Sequence, residues 1–456
     1  MSITSLKKLS QLILGFAIAA QAAPAAVFGD DKIIARYTLP FIAIKDFHNA
    51  LLPGSVTNDR KISLGGTGSD LWQGPDDPKD EFWLMTDRGP NGQVRIDGAN
   101  RRTFPIPTFS PMILRVKTEG ETIRILETLP ILGQSGKSVS GISNIKGYDE
   151  TPYDVTGKNE LPFNPSGIDS EGLVRTKAGE FWIVEEYSPS LMRLDRSGKV
   201  LKRYIPEGIK LDTADYPVVP VFSPIFGKRK INRGFEGLAI SSDEKTLYIM
   251  LQSPLLNPDR KTGDNSRNTR VLIFDVASEK VTAEYVYRFD VAKEFDPNPK
   301  MKPDEMKLSA VAYVNPTTLL ILERTDGVAK IFSVDMSTAT NILNSKWNDP
   351  KTVPTLESLE NPATENVAVL PKTLVVDLSK FENMPEKIEG LVILDRNTIA
   401  VANDNDFDTA ENKYDADGNN IGKGTKNQVI VISLAKQLPP VVPAIASAAP
   451  PTDGAK

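Results

Sequence analysis

Asp169-Ser170-Glu171-Gly172-Leu173-Val174, Gly234-Phe235-Glu236-Gly237-Leu238-Ala239 and Lys387-Ile388-Glu389-Gly390-Leu391-Val392 are three near copies of one hexapeptide. A fourth stretch, Leu308-Ser309-Ala310-Val311-Ala312, keeps the apolar pattern without the Glu-Gly pair, and Ser69-Asp70-Leu71-Trp72 is a weaker fifth copy. Each is followed by a short apolar run ending in polar groups, at residues 82–87, 181–186, 247–252, 319–323 and 399–404. Their length near six residues and their β-branched and aromatic content predict strands rather than helices. Turn-forming residues at 177–180 and 242–245 separate the two members of a unit.

Further strands are predicted at 191–195 and 200–205 in one unit, and at 271–276 and 284–289 in the next. Four antiparallel strands recurring every 65 to 80 residues are what a propeller blade requires. The fold class expected is therefore all-β, a β-propeller of four-stranded blades. Five blades are counted, and a sixth has room between Asp70 and Glu171, although residues 133–166 are rich in Gly, Ser, Asn and Pro and read as a long loop. The last unit ends at 429–434, where an N-terminal strand at 33–37 could complete the sheet and close the ring. Two tandem β-sandwiches would explain the strands but not the recurring hexapeptide with its follower. The propeller domain is placed at residues 30–436, and the Pro- and Ala-rich residues 437–456 are expected to form a disordered tail.

Residues 1–22 read as a secretory signal: Lys7 and Lys8, an apolar run from Leu12 to Ala20, then Ala20-Gln21-Ala22 as the cleavage pattern. A retained anchor is the alternative, but the run is too short to span a bilayer permanently. A periplasmic or secreted protein follows, with no membrane association after cleavage. The 456-residue chain is 40% hydrophobic and 25% charged, enough for a large core. Losing Lys7 and Lys8 leaves 52 basic against 59 acidic side chains, a poor balance for nucleic acid or anionic membranes. A monomer is expected.

The chain has no cysteine, which removes disulfides, thiolate nucleophiles, iron–sulfur clusters and cysteine zinc sites. It has one histidine, His48, so a histidine zinc cage cannot form and a Ser-His-Asp triad would depend on that residue, more simply read as a packing or surface group. Chemistry falls to carboxylates, Arg, Lys, Tyr, Ser or a bound metal.

In a propeller the innermost strands face one axis, so equivalent positions form a ring. Glu171, Glu236 and Glu389 would share that ring with Asp70 and Ser309, and the second strands would bring Asp87, Glu185, Gln252, Glu323 and Asp404. Converging carboxylates repel unless countered. Calcium, which takes six to eight oxygen ligands, suits such a set, and Glu171, Glu236, Glu389, Asp404 and Asp406 are the candidate metal ligands. Arg88, Arg233 and Arg324 beside the same motifs are the other countercharge. The bland alternative is that each Glu ties backbone amides of a neighbouring blade. Asp415-Ala416-Asp417-Gly418-Asn419 lacks a full calcium-loop pattern and reads more simply as a solvated turn. The loop Thr86-Asp87-Arg88-Gly89-Pro90-Asn91-Gly92 combines an acid, a guanidinium and a turn, and is the expected ligand contact. Asp87, Arg88, Glu185, Glu323 and Arg324 are the catalytic candidates. Arg101 and Arg102 read as surface charges.

The stretch from Asp169 to Ile205, with Phe181-Trp182-Ile183-Val184-Glu185-Glu186-Tyr187-Ser188-Pro189-Ser190, the stretch from Arg233 to Leu251 and the Asp87 loop together resemble the bacterial phytase-like family, described as esterase-like activity of phytase. The resemblance covers about Ile33 to Leu434 and implies a secreted propeller whose acids act on phosphoric esters. A small, phosphate-bearing anionic substrate is then expected, with calcium and no organic cofactor. The fourth repeat, without Glu-Gly, departs from the pattern. A metal-dependent lactonase or carboxylic esterase, as in gluconolactonase-like propellers, and a non-catalytic ligand-binding scaffold are the alternatives.

Overall fold

The computed structural model describes residues 29–52, 55–409 and 412–440. The signal segment, and the tail from residue 441 onward, lie outside the described residues. The four strands of the first blade are Asp70–Trp72, Glu81–Met85, Met112–Glu119 and Thr122–Pro130. Blade 2 is Ser170–Arg175, Phe181–Glu185, Ser190–Leu194 and Val200–Pro206, extended by the parallel strand Val218–Phe222. Blade 3 is Phe235–Ile240, Thr246–Leu251, Asn268–Asp275 and Lys280–Arg288. Blade 4 is Lys307–Asn315, Thr318–Arg324, Ala329–Asp335 and Lys372–Asp377. Blade 5 is Ile388–Asp395, Thr398–Asn403 and Gln428–Ser433, with Lys32–Thr38 from the chain's beginning as its outer strand. That antiparallel pairing, from Lys32 opposite Ser433 to Thr38 opposite Gln428, closes the ring.

No sixth blade lies between Asp70 and Glu171. Apart from the remaining strands of blade 1, the intervening chain forms a small sheet of Gly92–Ile96, Ala99–Phe104 and Pro152–Asp154, joined by loops. The five innermost strands contact one another in a closed cycle.

Because every blade presents apolar side chains on both faces, the core is divided into layers between blades. Trp83, Ile113, Phe181 and Ile183 fill the layer between blades 1 and 2. Trp182, Phe222, Phe235 and Leu272 fill the next. Met250, Tyr287, Ile321 and Phe332 lie between blades 3 and 4. Leu320, Ile331, Ile399 and Ile432 lie between blades 4 and 5, and Phe82, Leu114, Ala400 and Val429 between blades 5 and 1. A fully buried side chain of this kind contributes about 1.5–3 kcal/mol, which lets a chain without disulfides hold its ring. His48, on the helix Ile44–Leu51, joins the last layer: it is fully buried, accepts the Ser110 amide at Nε2 (3.0 Å) and lies against Phe109. It is a packing residue and does not line the axial cavity.

The Glu-Gly pair is where the innermost strand bulges. In blade 2 the pairing steps from Ile183–Leu173 to Glu185–Ser170, so Glu171 and Gly172 together oppose Val184. The same step falls at Glu236-Gly237, at Ser309 and at Glu389. A bulge turns the extra residue off the pleat and re-aims its side chain, here toward the axis. Gly172 follows because a Cβ there would lie 2.7 Å from the Glu236 carbonyl oxygen.

Candidate functional site

A cavity of about 300 Å³ occupies one end of the axis. Its floor is built by the bulged residues. Oxygens of Glu171, Glu236 and Glu389 lie within 4.8 Å of one another, and so do oxygens of Asp169, Glu171 and Glu186. In blade 4 the bulge presents Ser309 instead of Glu, and its hydroxyl lies 3.3 Å from Glu236 Oε1. That blade also supplies the cation: Arg324 Nε donates to Ser309 Oγ at 2.8 Å, and its Nη2 is ion-paired with Glu389. In blade 4 a serine at the bulge and a guanidinium on the next strand thus contact each other beside the glutamates of blades 3 and 5.

The second strands add a ring from the sixth position of each run: Asp87, Glu186, Gln252, Arg324 and Asp404 all line the cavity. Here two sequence expectations are corrected. Glu185 and Glu323 occupy the fifth position and do not reach the cavity, because side chains alternate along a strand. Glu185 is bound by Arg203 Nη2 at 2.8 Å and accepts the Ser188 amide at 2.6 Å inside blade 2. Glu323 takes Lys372 Nζ at 2.5 Å and the Asp290 amide at 2.8 Å. Asp70 is a third correction. Its neighbour Leu71 pairs with Leu84 as Leu173 pairs with Ile183, so Asp70 stands at the glycine position. Its carboxylate accepts the amides of Leu71 and Leu173, both at 2.7 Å, and belongs to the apolar opposite mouth of the channel.

Arg88 is immobilised rather than free. It donates to Gly141 O (3.0 Å) and Asn144 Oδ1 (2.7 Å), stacks 3.9 Å over Tyr187, and holds Asp169 at 3.4 Å. Asp404 and Asp406 line the cavity but stand outside both trios. Lys387 pairs with Asp406, whose amide donates to Asp404. Arg102, read from sequence as a surface charge, reaches the rim and donates to Asn91 Oδ1 at 2.9 Å. Arg101 stays outside, over Tyr153. Asp415 accepts the amides of Asp417 and Asn419 in an exposed turn. Asp169, Glu186, Lys307 and Lys387 went unassigned in the sequence. Two-residue spacing from Glu171 could have found Asp169, and aligning the sixth position would have found Glu186.

Burial dominates the electrostatics. It holds Glu171 and Glu236 well above the usual carboxylate range, Glu236 adding to the effect on Glu171 and Glu186 to that on Glu236. Burial and then Asp169 push Glu186 up to about 8. Asp87 is raised by burial and then by Asp404, and Asp404 by burial and then by Asp406. Lys307 is driven down to about 8 by burial, with Arg324 and Arg233 next in effect. Glu236 Oε2 and Gln252 Oε1 are buried in this cavity without a hydrogen-bond partner. The surrounding donors are all oxygens, a set of the kind that a hard divalent ion takes.

The family model for phytase-like proteins, described as esterase-like activity of phytase, matches residues 64–407. An uncharacterized secreted protein of Arthroderma benhamiae is 26% identical over 353 residues, 65% of this chain and 68% of its own. Among solved structures, a luciferin-regenerating enzyme is 10% identical with a TM-score of 0.34, covering 83% of this chain and 96% of its own. A calcium-binding regucalcin from Agrobacterium tumefaciens is 9% identical with a TM-score of 0.32, covering 84% and 95%. At this level of structural similarity nothing about activity transfers. Among the described residues no helix is long and apolar enough to cross a membrane.

Proposed function

The chain belongs to the phytase-like family, and from that premise we propose that it is an exported, calcium-dependent hydrolase of phosphoric esters acting as a monomer on small anionic substrates. The observation that carries this reading is the convergence of Glu171, Glu236 and Glu389 on one point, with Glu236 Oε2 left unpartnered. These residues, with Asp169 and Glu186, would hold the cation. A calcium ion there would supply positive charge against phosphate oxygens and acidify nearby water.

The chain's own groups do the rest. Arg233, Lys307 and Arg102 line the wall and rim and orient an anionic ester from the open side. Arg324 and Arg88 are anchored by other contacts, so their charge stays fixed in direction, which suits stabilisation of charge that grows during reaction. Asp87 and Asp404 are neighbouring acids outside the trios, and the Asp404 charge raises Asp87. Such a pair keeps one member protonated and one ionised over a range of pH. The ionised member takes a proton from the attacking water, and the protonated one gives a proton to the leaving oxygen.

The test is phosphate release from a panel of phosphomonoesters, with lactones and carboxylic esters alongside. Activity should appear on the phosphoesters, vanish with chelator and vanish in Glu236→Gln. Turnover of lactones alone, or activity indifferent to both treatments, would overturn the proposal.

A further inference from the structure

We infer that the floor of the cavity holds two divalent cations that share Glu171; this rests on the reading above that the floor is a cation site. The two trios, Asp169-Glu171-Glu186 and Glu171-Glu236-Glu389, have one member in common. Within each trio the oxygens lie within 4.8 Å. Oxygens about 2.3–2.6 Å from a calcium ion are separated by up to about 5 Å, so either trio can surround one ion.

Two further observations bear on the floor. Two orphaned, buried oxygens lie along the two trios. Glu236 Oε2 is a member of one. Gln252 bridges toward the other: its amide nitrogen donates to Glu186 Oε1 at 2.7 Å, it also acts on Glu236, and its carbonyl oxygen is left unpaired in the cavity. Both residues are over nine-tenths buried, at 2% and 4% exposure. The existing ion pairs go to the outer members, Asp169 with Arg88 and Glu389 with Arg324. Among the described residues Glu171, Glu186 and Glu236 are in no such pair, which leaves at least one uncompensated acid beside Glu171 in each trio.

The charge balance gives the second ion a function. Eight carboxylates and six Arg or Lys side chains line the cavity, an excess of two negative charges when all are ionised. One divalent ion cancels that excess. A second adds two positive charges toward a doubly charged phosphate ester, beside those of Arg233, Lys307 and Arg102.

The experiment titrates chelator-stripped, full-length mature protein with calcium chloride by calorimetry, with metal analysis after equilibrium dialysis. The wild type should bind two ions per chain. Glu186→Gln and Glu236→Gln should each retain one, and Glu171→Gln should weaken both at least tenfold. One ion in the wild type, or one intact site in Glu171→Gln, overturns the shared pair while leaving the single-cation reading standing. No binding at all overturns that reading as well. If Glu171→Gln does not fold, the double variant Glu186→Gln/Glu236→Gln carries the test: it should bind none, and retention of an ion counts against the proposal.

Discussion

Glu185 and Glu186 are consecutive in the chain and work on opposite sides of one strand. Glu185 is fully buried against Arg203 inside blade 2, whereas Glu186 enters the axial cavity, where Gln252 donates to it. One peptide unit separates a group that holds a blade together from a group that lines the site.

That division gives opposite stability effects. Glu185→Gln strips the charge partner from a fully buried guanidinium and should cost roughly 3–5 kcal/mol. Glu186→Gln removes one of several mutually repelling acids, so in chelator the variant should be at least as stable as wild type. Urea denaturation of both measures this. Equal destabilisation would mean that the two carboxylates share one role.

Gly172→Ala should be destabilising by about 1–3 kcal/mol, because its new Cβ would lie 2.7 Å from Glu236 O and 2.9 Å from Leu238 Cβ. The displaced Glu236 should also weaken calcium binding. Gly227→Ala, whose Cβ would meet nothing within 4 Å, is the control and should change neither quantity. A neutral Gly172→Ala would show that the innermost strands are less tightly packed than this geometry requires.

His48 should make the fold sensitive to acid. Burial lowers its pKa from 6.5 to about 4, so the folded protein prefers the neutral ring. Its contribution is complete above pH 6.5 and is lost as pH falls toward 4, a change on the order of 3 kcal/mol. As the only histidine in the chain, it gives a single ring signal in proton NMR titration. An apparent pKa near 6.5, or stability flat between pH 7 and 4.5 in His48→Gln and wild type alike, would contradict the assignment.

Removing residues up to Thr38 should expose the Gln428–Ser433 edge and open the ring between blades 5 and 1. Compared with a chain beginning at residue 29, the shortened one should lose its cooperative thermal transition or aggregate. An unchanged melting temperature would mean that ring closure contributes little.

Much of the architecture was legible because the repeat is chemical. The recurring Glu-Gly-Leu with an apolar follower identifies the two inner strands of blades 2, 3 and 5, and its apolar pattern those of blades 1 and 4, without any knowledge of their pairing, and the surplus strand at 33–37 has one open edge to complete. The absence of cysteine and the single histidine narrowed the chemistry for the same reason, since residue types are read directly. Asp70 shows the limit: it looks like a ring acid, yet it stands one place further along its strand than the glutamates do.

The chain by itself therefore determined that successive acidic motifs meet around an axis, because identical segments placed in a ring must repeat their environment. Tertiary structure alone decided which oxygens face the cavity. A strand has two faces, and a bulge of one residue exchanges them. Whether Glu185 or Glu186 belongs to the site depends on pairing with Ser170 across the sheet, a relation between residues 15 positions apart that local sequence does not carry.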